Sequence, residues 1–167
     1  MDVILKHEPM TIPTYEPYAA NTLPFFLEKK AYQGATGRIY PVPYTDRLSN
    51  EPVNKDYDSY TLENEHVKVV LLPELGGKIH GAVDKHNNYE FIYQNTVIKP
   101  AMVGIAGPWV SGGVEFNWPQ HHRPTTFMPL EATPKKNADG SVTVWMGEAE
   151  PFHRMRGMVG ITVYPGR

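Results

Sequence analysis

Cysteine is absent from this 167-residue chain. That excludes a disulfide framework, a thiolate nucleophile and any Cys-ligated metal, so a metal would have to rely on His, Asp or Glu. The same absence fits a reducing compartment, and a cytoplasmic location is expected. Long apolar runs are missing too. None approaches the roughly 20 residues of a spanning helix, and the opening MDVILKHEPM has neither the apolar stretch nor the small-residue cleavage site of a signal peptide. No membrane partner is expected. Charge of one sign is also lacking, with 16 Lys and Arg against 18 Asp and Glu, a formal net charge of −2. No nucleic-acid partner is expected from such a balance. Finally, there is little room for helices, because 16 prolines and 14 glycines interrupt the chain.

What remains is apolar and aromatic sequence cut into short pieces. At this length one domain buries roughly two-thirds of its unfolded surface, enough for a real core. Residues 1–56, punctuated by Pro9, Pro13, Pro17, Pro24, Pro41, Pro43 and Pro52, read as an extended arm laid over a body that runs from 57 to 167. In the body, Tyr57 to Leu62 alternates, and His66 to Pro73 reads as a buried strand ending at a proline. Gly76-Gly77 marks a tight turn or bulge. Lys78 to Val83 and Tyr89 to Tyr93 flank a turn of Asp, Lys, His and Asn. Hairpin-linked strands of this kind predict an antiparallel sheet. Phe127 to Ala132 is a further strand candidate. Asn137 to Ser141 is a hairpin turn, because Asp139-Gly140 adopts positive φ at low cost. Ser141 to Met146 and Met155 to Tyr164 are the last strands. The expected fold is an all-β antiparallel sandwich, or part of one. Its last strand is left as an edge on which a second copy of the chain could pair.

The densest set of chemically active side chains is Glu115, Asn117, Gln120, His121, His122 and Arg123, with Trp109 and Trp118 beside them. A pyranose has an apolar C–H face that stacks on an indole. Its rim of hydroxyls needs partners, because each buried polar group left unpaired costs about 1–3 kcal/mol. Asn, Gln, His, Arg and Glu supply those partners. If 114–118 is a strand, Glu115 and Asn117 face one way while Val114, Phe116 and Trp118 face the other. His121 and His122, being adjacent, then point apart. The competing reading is a tight structural loop stiffened by Pro119 and Pro124.

Other chemistries are weaker. A three-ligand metal site would need Glu115, one of His121 or His122, and His80 or His86; no metal is expected. A glycosidase pair would need a second carboxylate among Glu74, Asp84, Glu148 and Glu150, and nothing selects one. Glu148 and Glu150 share a face of an extended segment and read as solvated. Ser111 lacks the G-x-S-x-G setting of a serine hydrolase. Gly76-Gly77 opens no helix, so phosphate binding is not expected there. Nothing in the motifs asks for a cofactor.

The run LENEHVKVVLLPELGGKIHGAVDKHNNYEFIY, residues 62–93, resembles the opening of galactose-mutarotase-like domains. YQGATGRIYPVPY (32–44) and GPWVSGGVEFNWPQHHRPTTF (107–127) are similar to an uncharacterised bacterial domain family that often precedes tetratricopeptide repeats. The resemblance spans nearly the whole chain. It implies a β-supersandwich that handles carbohydrate, of which this chain would be the first part. It also implies an epimerase-like or glycoside-hydrolase-like context, although the mutarotase's own histidine setting is not present. On this reading Glu115, His121 and His122 are the candidate catalytic groups. Trp109, Asn117, Trp118, Gln120 and Arg123 are the candidate substrate-binding groups, with Trp109 or Trp118 as stacking platform. A non-catalytic sugar-binding or structural module, completed by oligomerisation, is the alternative.

Overall fold

The computed structural model describes residues 2–22, 25–26, 39–40, 42–118, 122–151 and 153–167. Gln120 and His121 therefore lie outside the described residues, as does most of 23–41. The elements in chain order are β1 (Ile4–Thr14), β2 (Phe25–Phe26), β3 (Ile39–Tyr40), β4 (Val53–Glu63) and β5 (Val67–Leu72). A 3-10 turn (Pro73–Leu75) follows, then β6 (Lys78–Asp84), β7 (Tyr89–Ile92), β8 (Ala101–Gly104), β9 (Gly107–Trp109), β10 (Glu131–Lys136), β11 (Val142–Glu150) and β12 (Met155–Val163). The fold is all-β. No helix among the described residues is long and apolar enough to cross a membrane.

Two sheets make the sandwich. One has five strands in the order β1-β4-β5-β6-β7, and the other has three in the order β10-β11-β12. Neighbouring strands within both are antiparallel. The core between them follows from alternation. Tyr60, Leu62, Val69, Leu71 and Ala82 of the larger sheet meet Val142, Val144, Met146 and Val163 of the smaller one. A second cluster of Ile12, Tyr57, Leu72, Leu75, Ile98 and Val110 uses side chains of the opposite parity on β4 and β5. The central strands are thus buried on both faces, which is why Val69 to Leu72 is an unbroken apolar run.

The N-terminal segment is part of this sheet. β1 pairs with β4 along all eleven of its residues. The boundary expected at 56/57 falls inside β4, not between elements. Pro9 and Pro13 are tolerated because β1 is an edge. The Pro13 carbonyl accepts from Ile98 N on the side away from β4, and Pro9, four residues earlier, has the same orientation. Neither proline therefore deprives β4 of a donor.

Two features place the site. Gly76 (φ +71) closes the 3-10 turn, and a Cβ there would lie 2.1 Å from the Thr126 carbonyl oxygen. Only glycine lets the 122–128 segment pack so closely on the end of β5. At the other end of the same loop, Gly113 (φ +65) seats against β6, where a Cβ would be 2.1 Å from the Ile79 carbonyl. Val114 exchanges hydrogen bonds with Ile79 across this contact, at 2.8 and 3.2 Å. Elsewhere, the Asn64 amide bonds the Tyr164 carbonyl (2.8 Å), while its own oxygen accepts from His66 N and Val67 N. One side chain thereby ties the β4–β5 turn to the end of β12.

Candidate functional site

The segment after β9 is not a strand. Val114 makes an isolated bridge, and residues 115–117 form no ladder. The expected alternation of 114–118 is therefore not realised. Backbone groups that a ladder would have used are diverted, Gly113 N to the Tyr93 carbonyl at 2.8 Å and the Phe116 carbonyl to the Arg123 guanidinium. The chain instead folds back so that Glu115 and His122 meet.

His122 Nδ1 lies 2.9 and 3.1 Å from the two Glu115 carboxylate oxygens, and Trp109 Nε1 donates to Oε2 at 2.7 Å. The indole and imidazole rings are tilted at 57° with centroids 5.3 Å apart. Both members of the pair remain accessible, with side-chain exposures of 23% for His122 and 17% for Glu115. Burial pushes the Glu115 pKa up. The hydrogen bonds from His122, Trp109 and Thr126 outweigh it and hold the carboxyl below its ordinary value. Glu115 is thus an anion at neutral pH. A carboxylate facing Nδ1 favours a proton on that nitrogen.

Beneath this pair sits Lys78. It is buried, and its Nζ donates to the carbonyls of Val110 (2.9 Å) and Ser111 (3.2 Å), pinning the loop that carries Glu115. Burial lowers its pKa to about 8, with the Glu115 charge opposing the shift. His80, on the same strand, is 2% exposed, and among the described residues its Nε2 has no hydrogen-bond partner. Burial and the nearby Lys78 charge push its pKa down to about 4.

The other candidate residues separate by location. Asn117 is exposed, and its Oδ1 accepts from Arg123 N at 3.2 Å. Arg123 is fully buried at 0% exposure. Its guanidinium donates to the carbonyls of Gly76 and Phe116, and to Thr125 Oγ1 at 3.1 Å, and its Nε is 3.2 Å from Glu148 Oε1. It also lies 4.2 Å over the Trp118 ring. Trp118 Nε1 donates to Glu148 at 3.1 Å, and the ring packs on the backbone of Gly157, where a Cβ would be 1.9 Å from Nε1. The donors of Arg123 are thus spent inside the protein, and Trp118 is committed to β12 and Glu148.

Sequence reasoning missed three participants: Lys78, Thr126 and the buried state of Glu148 and Glu150. The last had a signal. Val142, Val144 and Met146 set the buried parity of β11, and Glu148 and Glu150 continue it. They are not solvated, since Glu150 is 3% exposed and the Glu148 side chain 12%. The remaining histidines are engaged locally, His7 with Asp58, His66 with His86, and His153 with Glu150. Among the described residues, no three His, Asp or Glu converge on a common metal position.

Comparison with known proteins adds two findings. The model of a family described as a domain of unknown function, DUF5107, matches residues 35–165. Among solved structures, the chain is similar to a TPR-domain containing protein from Parabacteroides distasonis ATCC 8503, with 27% sequence identity and a TM-score of 0.87. That alignment covers 100% of this chain and 28% of the other. The chain therefore spans less than a third of the protein it matches, and that protein carries the repeats that the sequence resemblance implied.

Proposed function

The chain belongs to the DUF5107 family, and from that starting point we propose that it is a carbohydrate-active domain of galactose-mutarotase-like type, acting in the cytoplasm as part of a longer TPR-containing protein. The observation that carries the reading is the Glu115–His122 pair. Its imidazole is oriented by a carboxylate at the edge of a partly open loop. An epimerase-like or glycoside-hydrolase-like reaction needs a group that exchanges a proton with an anomeric or ring oxygen near neutral pH. An oriented histidine suits that task, and such proton transfer contributes typically 10²–10⁴-fold. Glu115 is then the positioning residue and His122 the proton-transfer group. Trp109 fixes the carboxylate from its far side, and Asn117 supplies a hydroxyl partner at the exposed end.

Polarimetric mutarotation of aldoses and release of nitrophenol from aryl glycosides test this directly. His122→Ala and Glu115→Gln should each lower turnover by roughly 10² or more. Binding, followed by chemical-shift titration, should survive. Unchanged turnover in both variants, or no turnover and no shift with any sugar, sinks the proposal.

One observation favours a second reading. Among the described residues, β12 pairs only with β11, so its far edge is open. A non-catalytic sugar-binding module completed by strand addition from a second copy would use that edge. Sedimentation at several concentrations decides this, since a monomer at every concentration removes it.

A further inference from the structure

The chain has three tryptophans, and their surroundings differ. Trp109 is tied through its N–H to Glu115, and Trp118 is held between Glu148, Arg123 and Gly157. Trp145 was not singled out by the sequence motifs. It stands on the outward parity of β11, between the buried Val144 and Met146, and is 42% exposed.

Its ring is laid down by its cross-strand partner. Trp145 pairs with Gly160 of β12, and a Cβ on Gly160 would lie 2.8 Å from Cε3 and Cζ3 and 3.0 Å from Cη2. Near-equal distances to three successive ring atoms mean that the six-membered ring lies over the glycine. One face therefore rests on the backbone of β12, and the other is turned to solvent. Gly147, the next outward position on β11, has no side chain of its own, and the Met158 side chain across from it reaches over that position, 2.9 Å from where a Cβ would lie. The result is a shallow hollow of about 250 Å³, lined by Glu131, Thr133, Trp145, Gly147, Arg156 and Met158. Glu131 and Arg156 approach to 3.5 Å at its rim and are both well exposed.

The geometry points to a saccharide-binding platform on this outer face of the three-stranded sheet, separate from the Glu115 loop. A flat indole face of fixed orientation matches the C–H face of a pyranose. A carboxylate acceptor, a guanidinium donor and a threonine hydroxyl lie around the same hollow, and each finds a partner among ring hydroxyls. Trp145 and Met158 supply the apolar surface, and its combination with polar groups of both signs favours a neutral polyol over an apolar protein surface. The hollow holds about one sugar ring, so longer chains would run along the sheet surface beyond it. The proposal rests on the carbohydrate reading of the domain but does not need His122 to transfer a proton.

Because each indole N–H gives its own resonance, one titration separates the two sites. The probes are glucose, galactose, xylose and the β-1,4-linked trisaccharides of glucose and xylose. The expected result is a saturable shift of the Trp145 indole signal with at least one trisaccharide. Trp145→Ala should weaken binding about tenfold or more, and Trp145→Tyr should retain most of it. His122→Ala should leave it unchanged. A stationary Trp145 signal while Trp109 moves overturns the platform and leaves the Glu115–His122 reading standing. If Trp145 alone moves, the platform holds and the other site loses its support. If the Trp145 signal follows protein concentration and ignores every sugar, a second copy covers this face and the proposal is wrong.

Discussion

Two clusters in this protein are built from the same parts. In each, an indole N–H donates to a glutamate that also meets a basic side chain, Trp109–Glu115–His122 in one and Trp118–Glu148–Arg123 in the other. Five of the six residues lie between 109 and 123, with Glu148 brought in from β11, yet the clusters do different work. In the second, the cation is permanently charged and sealed from water. Its remaining donors close off the carbonyls of Gly76 and Phe116. Moving a proton there would leave a buried charge unpaired, so the cluster is architecture. In the first, the basic partner is an imidazole rather than a guanidinium, and both members reach solvent. The difference between scaffold and candidate chemistry here is burial and the choice of Arg or His, not the presence of a carboxylate and a base.

The comparison breaks most severely at Arg123. Arg123→Met should cost about 3–5 kcal/mol, because it strands Glu148 and two carbonyls in the interior. Urea denaturation measures this, and Arg123→Lys should recover only part of it, since an ammonium lacks the planar fork. A loss below about 1 kcal/mol in both variants would mean that the two clusters are not distinguished by burial.

His80 asks what burial does when one ring nitrogen, Nε2, has no hydrogen-bond partner among the described residues. Its folded-state pKa of about 4 lies below the ordinary 6.5, so the unfolded chain takes up the proton first as pH falls. Stability should be complete above pH ~6.5 and decline as pH drops toward ~4, by on the order of 3 kcal/mol from this group. The slope lost between wild type and His80→Leu in acid denaturation isolates it. Equal slopes would place the His80 ring in contact with water.

Gly157→Ala sharpens the contrast from the Trp118 side. The added Cβ would overlap the indole, so a cost of about 1–3 kcal/mol is expected, together with a displaced Trp118 N–H resonance and an undisturbed Trp109 one. The smallest effect belongs to Glu115→Gln. Its stability change should stay within about 1 kcal/mol, because both partners still reach solvent, whereas Glu148→Gln should lose about 1–3 kcal/mol. Thermal unfolding of the two variants side by side reads this directly.

Much of the fold was legible because burial leaves a periodic trace. The run Val69 to Leu72, the alternation from Val142 to Met146 and the Asn137–Gly140 turn each specify local structure by chemistry that neighbours cannot override. β1 was not legible as a sheet strand. Most of its side chains are exposed, as on an edge, so its sequence carries prolines and no alternation. The site was half legible. Glu115, His122 and Trp109 were found from composition and resemblance, and they do come together. The expected arrangement on one strand face was wrong, because long-range contacts to Tyr93, Ile79 and Gly76 fold the segment and no local pattern encodes them. Arg123 reads as a surface residue in isolation. Only the parity of Glu148 on β11, more than twenty residues later, calls for a buried cation.

The bond from Asn64 to the Tyr164 carbonyl spans 100 residues. A chain emerging from the ribosome N-terminus first would complete β4, β5 and their turn while that amide still lacked its acceptor. The larger sheet is then open, its inner face awaiting β11 and β12. Closure of this core therefore waits for β11 and β12. A chaperone holding the nascent chain, or a pause in translation before residue 142, would act on half a sandwich with its core exposed.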